Sequence, residues 1–265
     1  MFVLYDNFAS VAAQKVRLTL AEKGTQWQSV EIDLRNGEVM RPDYLELNPR
    51  GVVPTLVHDG QVITESNVII EYLEELMPQP ALRPEGALAR ARMRGWMRRM
   101  DDDIHRATGN ISMAIYIRHA HLKKSQAERD AYFAAMPDAD RAVRQQAAIA
   151  LGLDAPAFAP SLRAFSMLVD EIERAVAKQD WLCGDDFSLA DIATAPYILR
   201  LDMLAMDTLW SRGRRPAMEH WWKRVQARSC WPRVMHDAFP SAVREQMRQR
   251  GEEARDRIVD ALGLE

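Results

Sequence analysis

The stretch from Asn48 to Ser66 constrains the fold more than any other part of the chain. It reads Asn-Pro-Arg-Gly-Val-Val-Pro-Thr-Leu-Val-His-Asp-Gly-Gln-Val-Ile-Thr-Glu-Ser. Thr55-Leu56-Val57 is an apolar strand and Val62-Ile63-Thr64 its return partner. The turn between them carries Asp59-Gly60, a pair that tolerates the positive φ of a short hairpin connection. Glu65-Ser66 stands where a new helix begins. A proline beside a buried strand gives no N–H to a ladder, so Pro54 has another reason to be there. The expectation is a cis Val53-Pro54 bond that turns the backbone of Val53 outward for use.

Around this hairpin, turn residues and apolar spacing order the rest. Phe2 to Tyr5 is a short apolar run closed by Asp6-Asn7. Ser10 precedes a helix over about Ala12 to Lys23, with Val16, Leu18, Leu20 and Ala21 on its apolar side and Gly24 as its stop. Trp27 to Leu34 alternates as a strand, Pro42 to Leu47 is a short helix, and Asn67 to Met77 is an amphipathic helix. The order β-α-β-α-β-β-α predicts a small mixed α/β sheet covered by helices. Pro78, Pro80 and Pro84 then interrupt the chain. Residues 1–79 are therefore expected to form one domain, 80–85 a linker and 86–265 an all-α second domain.

In that second part, apolar residues from Met93 to Ala114 recur every three or four positions and predict one long helix over Leu88 to Leu122. Its methionine stripe belongs to the core. Lys123 to Pro160 is polar and alanine-rich, with breaks at Pro137, Gly152, Pro156 and Pro160, and predicts short helices. A helix over Ser161 to Lys178 follows. Ser188 with Asp191 then forms a capping box ahead of another helix, a structural role on the order of 1 kcal/mol. Trp221, Trp222, Val225 and Trp231 mark a last packed region, and the tail from Ala242 is expected to be a helix on the surface.

Charge and cysteine usage narrow the partners. The 35 basic and 38 acidic side chains leave a net charge of −3, which argues against nucleic acid and against an anionic membrane. Cys183 and Cys230 fall outside metal or redox spacing, so no metal is expected and a reducing cytoplasm suits them. Met1 to Tyr5 lacks the basic start and apolar run of a signal peptide, and nothing reaches the roughly 20 apolar residues of a membrane span.

Three features converge on one ligand chemistry. Ser10 opens the first helix, where backbone N–H groups favour an anion and a nearby thiol loses its proton more readily. Val53-Pro54 offers strand-like pairing to a peptide. Glu65 suits an ammonium, and Ser66 with the amides behind it suits a carboxylate. A thiol at one end, an extended middle, and an ammonium with a carboxylate at the other describe glutathione.

The same residues carry a resemblance to the glutathione transferase superfamily. It is strongest in Ser10 to Gly24 (Ser-x-x-x-x-Lys-Val-Arg-Leu-x-Leu-Ala-Glu-Lys-Gly), in Asn48 to Leu56, and in Glu65-Ser66 with Ile70-Glu71-Tyr72-Leu73. The resemblance implies a thioredoxin-like first domain, an all-helical second domain, glutathione as cosubstrate and a homodimer. It places Ser10 at the glutathione sulfur, with Tyr5 and Asn7 as alternatives near the thiol. Val53 and Pro54 match the cis-proline pair, and Glu65 and Ser66 the γ-glutamyl clamp. Several classes hold a polar or basic residue two before the proline; here it is Val52, so Arg50 or Arg41 is the candidate for the glycine carboxylate. A hydrophobic electrophile is expected against Asn110, Met113, Ala114, Tyr116 and Ile117. The long 123–160 segment and Ala91-Arg92-Met93-Arg94-Gly95-Trp96 are similar to bacterial glutathione-dependent β-aryl ether cleaving enzymes. A non-catalytic binding protein on this fold, or a glutathione-dependent reductase or isomerase, stands as the alternative.

Overall fold

A computed structural model describes residues 1–263. Its four strands are β1 (Phe2–Asp6), β2 (Gln28–Glu31), β3 (Thr55–His58) and β4 (Gln61–Thr64), joined in the order β2-β1-β3-β4. β1 runs parallel to β2 and antiparallel to β3, with Leu4 opposite both Ser29 and Leu56. A parallel pair needs a crossover, and α1 (Val11–Glu22) supplies it. The β3–β4 hairpin pairs His58 with Gln61 across Asp59 and Gly60, whose φ values are +48° and +81°. With α2 (Pro42–Leu47) and α3 (Ser66–Leu76), this is the expected β-α-β-α-β-β-α unit. β2 is shorter than the alternation in Trp27 to Leu34 predicts. β1 is its partner in the sheet and ends at Asp6, opposite Glu31, so the pattern outlasts the ladder.

Every residue of α1 from Val11 to Ala21 is buried, including Gln14, Lys15, Arg17 and Thr19. A helix covered all round lies between two layers. Here the sheet is one layer, and the Leu189–Met203 helix, itself buried along nearly its whole length, is the other.

Beyond β4 the regular elements among the described residues are helical, apart from a bridge between Trp181 and Gly184. The long helix covers 87–121 and widens into π-helical turns at Met100–Ile104 and Met113–Ile117. Met93, Met97 and Met100 are buried, as the core stripe requires. The polar 123–160 segment folds as Gln126–Ala134, capped by a Ser125/Glu128 box, and Ala139–Leu151, capped by Asp138. The Phe158–Val176 helix begins ahead of the expected Ser161, because Pro160 sits in the first turn where its missing N–H is tolerated.

Asp191 is fully buried and holds its helix start together. It accepts N–H groups of Leu182 and Ser188 and the Ser188 hydroxyl, each at 3.0 Å, and the Trp221 indole N–H at 2.9 Å. The proline-rich connection is tied to both halves. Lys23 pairs with buried Glu74, which accepts the Leu82 N–H at 3.1 Å, and the Leu82 carbonyl accepts the Leu189 N–H at 2.7 Å.

The tail departs from expectation. Its helices, Ser241–Glu253 and Arg255–Leu262, do not merely lie on the surface: Met247, Gly251, Ala254 and Ile258 are buried. Gly251 lets the chain pass so close to Leu204 that a Cβ there would stand 1.7 Å from the Leu204 carbonyl oxygen. The mixed charge of the tail hides this narrow apolar seam. Among the described residues no helix is long and apolar enough to cross a membrane.

Candidate active site

Ser10 is the N-cap of α1, with an extended backbone, and its Oγ accepts the Ala13 N–H at 3.2 Å. Accepting that bond leaves the hydroxyl proton free to donate away from the helix. Asn7, buried behind it, spends its whole amide on the loop. Its Nδ2 donates to Glu31 Oε1 and to the Ile32 carbonyl, both at 2.9 Å, and its Oδ1 accepts the Ala9 N–H at 2.9 Å. From the helical half, buried Arg200 donates to the Ala9 carbonyl and, at 2.9 Å, to Ser112 Oγ. Burial pushes its pKa down to about 10, which keeps it protonated at neutral pH. A fixed cation bonded one residue before a helix N-terminus makes this loop favourable for negative charge. Tyr5 is committed elsewhere: it packs edge-on to Tyr44 with ring centroids 6.0 Å apart.

The Val53-Pro54 bond is cis. Neither the N–H nor the C=O of Val53 has an intramolecular partner among the described residues, whereas the Val52 carbonyl accepts Tyr44 OH at 2.7 Å and Asn48 Nδ2 at 2.9 Å. Glu65 has φ +68° and ψ 109°, a conformation that costs a non-glycine residue about 1–3 kcal/mol and that collects at functional sites. Its carboxylate pairs with Arg50, and both side chains are exposed. Ser66, the first residue of α3, is buried. Arg41 pairs locally with Asp43 at 3.3 Å.

Sequence reasoning missed the charged network beside this helix end. Lys15 is fully buried, donates to Asn67 Oδ1 and to Asp101 at 3.2 Å each, and lies 5.2 Å from the centre of the Tyr197 ring. Burial lowers its pKa and Asp101 opposes the shift. Asn67 donates to Asp101 Oδ2 and to the Met97 carbonyl, both at 2.7 Å. Asp101 thus comes from the first wide turn of the long helix to the start of α3. Lys15 stands between Gln14 and Val16, so nothing local marked it, although a buried ammonium needs a partner.

The expected substrate wall divides. Met113 and Ala114 are core residues at 4% and 3% exposure, and Asn110 donates to Ser161 Oγ at 3.0 Å. Tyr116, in the second wide turn, accepts Arg35 of the first domain at 3.3 Å, and Ile117 is half-buried next to it. His105 has its Nδ1 3.2 Å from Tyr197 OH. Desolvation of the imidazole first, then the charge of Lys15 and, against Asp101, those of Arg141 and Arg50, push its pKa down to about 4. Between pH 6.5 and pH 4 the unfolded chain holds a proton that folded His105 refuses. Stability should therefore fall as pH drops through that window, and His105→Gln should flatten the slope in chemical denaturation. An equal slope in the variant would assign the effect to other groups.

A separate cleft of about 450 Å³ was not anticipated; Asp6, Arg17, Trp27, Glu31 and Arg233 are among its lining residues. Glu31 therefore faces that cleft while also holding Asn7, and burial raises its pKa. Among the described residues no group of three or more His, Cys, Asp or Glu side chains is placed to hold a metal ion.

Residues 9–76 match the family model for the glutathione S-transferase N-terminal domain, and residues 153–229 that for the C-terminal domain. The chain is 30% identical to protein LigF of Sphingobium sp. strain SYK-6, over 94% of this chain and 97% of that one. It is 33% identical to the maleylacetoacetate isomerase of Pseudomonas aeruginosa, over 81% and 88%. Among solved structures, β-etherase LigF from the same Sphingobium strain superposes with a TM-score of 0.81 at 28% identity, covering 89% of this chain and 99% of that one.

Proposed function

The chain belongs to the glutathione S-transferase family, and from that membership we propose a glutathione-dependent displacement enzyme of the β-aryl ether cleaving type. The Ser10 hydroxyl donates to the glutathione sulfur, and the α1 N-terminus with Arg200 behind it favours the thiolate. Val53 pairs with the backbone of the peptide, while Ser66, Glu65 and the α3 N-terminus hold its γ-glutamyl end. The thiolate attacks an electrophilic carbon held near Tyr116 and Ile117. A carbon–sulfur bond forms as the carbon–oxygen bond breaks, and the electron pair leaves on the aryloxide. In the same reading the protein is cytoplasmic and works as a homodimer.

The observation that carries the ether-cleaving reading is full-length likeness. The match to LigF includes nearly all of both chains, whereas the match to the isomerase leaves about a fifth of this chain aside. The isomerase is the second reading, because its identity is slightly higher where it aligns. Incubation with glutathione and a β-aryl ether ketone that releases a fluorescent aryloxide separates the two. Glutathione-dependent aryloxide release is expected; isomerisation of a cis-enedione without such release would move the assignment to the second reading.

A further inference from the structure

A second cleft opens where the 123–160 segment meets the first domain, and Met40, Arg50, Gly51, Tyr132, Pro137 and Arg141 all line it. The segment is seated on the loop after β2. Tyr132 OH donates to the Leu34 carbonyl at 3.3 Å and Lys124 Nζ to the Arg35 carbonyl at 2.9 Å. Close packing continues at Gly51, where a Cβ would lie 3.3 Å from Pro137 Cγ. The two helices of the segment, Gln126–Ala134 and Ala139–Leu151, are thereby held against the first domain between residues 34 and 51.

In the glutathione reading, a peptide paired with Val53 and held by its γ-glutamyl end at Ser66 would extend its other end toward residues 40–51. That end carries a carboxylate, and the first domain has little to offer it. Val52 is apolar and its carbonyl is occupied. Arg50 pairs with Glu65, Arg41 with Asp43, and Lys15 with Asp101 and Asn67. Arg141 differs from these. Its guanidinium has no hydrogen-bond or ion-pair partner among the described residues, although it lines the same cleft as Arg50 and Gly51. Its guanidinium lies near enough to Tyr132 and His105 for its charge to act on both.

We propose that Arg141, delivered by the Ala139–Leu151 helix, binds the glycine carboxylate of glutathione and does the work a first-domain cation would otherwise do. The assignment rests on the glutathione reading of the site. It also gives the 123–160 segment a function, that of a strap whose docking completes the peptide site. A guanidinium fits a carboxylate with two parallel hydrogen bonds, which a lysine cannot supply.

The test compares glutathione with γ-glutamylcysteine, which lacks the glycine, by calorimetric titration of the full-length protein. The parent protein should bind glutathione about 10- to 100-fold more tightly than the dipeptide, the range for one charge-assisted contact. Arg141→Ala should remove that preference by weakening glutathione alone, and Arg141→Lys should restore part of it. In Arg50→Ala the preference should persist. The melting curve of Arg141→Ala should match the parent's, which shows that the variant is folded. An Arg141→Ala protein that still prefers glutathione overturns the assignment while leaving the site intact; so does one that loses both ligands equally. A parent protein that binds neither ligand sinks both this assignment and the glutathione reading.

Discussion

Replacing Ser10 with Ala lowers turnover about 100-fold, the loss expected when one hydrogen bond to a charged group, worth roughly 1.5–3 kcal/mol, is removed from a reacting anion. Affinity for glutathione should change little if, as proposed, Val53, Glu65 and Ser66 hold the rest of the peptide. The same substitution removes the acceptor for the Ala13 N–H, and an N-cap lost to alanine costs about 1 kcal/mol of stability. Ser10→Gly separates the two effects. Glycine keeps most of the strength of a cap, so its stability should be near that of the parent while the rate loss persists. Ultraviolet titration of bound glutathione should show the thiol pKa raised in both variants. Parent-level turnover in Ser10→Ala would transfer the role to Asn7 or Tyr5, and the hydrogen bonds that consume the Asn7 side chain make that outcome costly to explain.

The largest structural effect is expected at Gly251. In an exposed helix, glycine to alanine is stabilising by about 1 kcal/mol, so the sign of the change reports the packing. Here the added methyl meets a backbone carbonyl at 1.7 Å, and a carbonyl at a helix end cannot swing aside as a side chain can. Overpacking of this kind costs upward of about 3 kcal/mol, which for a chain of this size lowers the melting temperature by roughly 6–12 °C. Either the Ser241–Glu253 helix lifts off, exposing Met247, or the Leu189–Met203 helix loses its last turn. A melting temperature equal to or above the parent's in Gly251→Ala would show that the two helices do not approach so closely.

Local chemistry left clear marks in the sequence. Asp59-Gly60 gave the hairpin, Ser10 and Ser188 gave the helix starts, and the three prolines after Met77 gave the end of the first unit's pattern. What escaped was set by partners far along the chain. Ala9 and Arg200 meet across 191 positions, and Lys15 and Asp101 across 86, so neither pair has a local signature. Burial on both sides of α1 also erased the one-faced apolar stripe by which helices are normally read, leaving Lys15 and Arg17 looking like ordinary surface cations. The burial of two residues of the expected substrate wall was hidden for a related reason. Met113 and Ala114 lie on the same helix as Tyr116, but the wide turn re-aims the face that carries them.

The double covering of α1 has a consequence for recombination. A unit cut after α3 would carry its own sheet and its own peptide-binding residues, and would look transplantable. Cut free, it would present a whole apolar helix face to water, with the Lys15 ammonium on it stripped of Asp101. The loop bearing Ser10 would also lose the guanidinium from which its Ala9 carbonyl hangs. Chimeras that keep this first unit should therefore work only with a recipient that supplies both the covering helix and the arginine at the place of Arg200. The heritable module in this chain is the interface, and its two halves are not interchangeable parts.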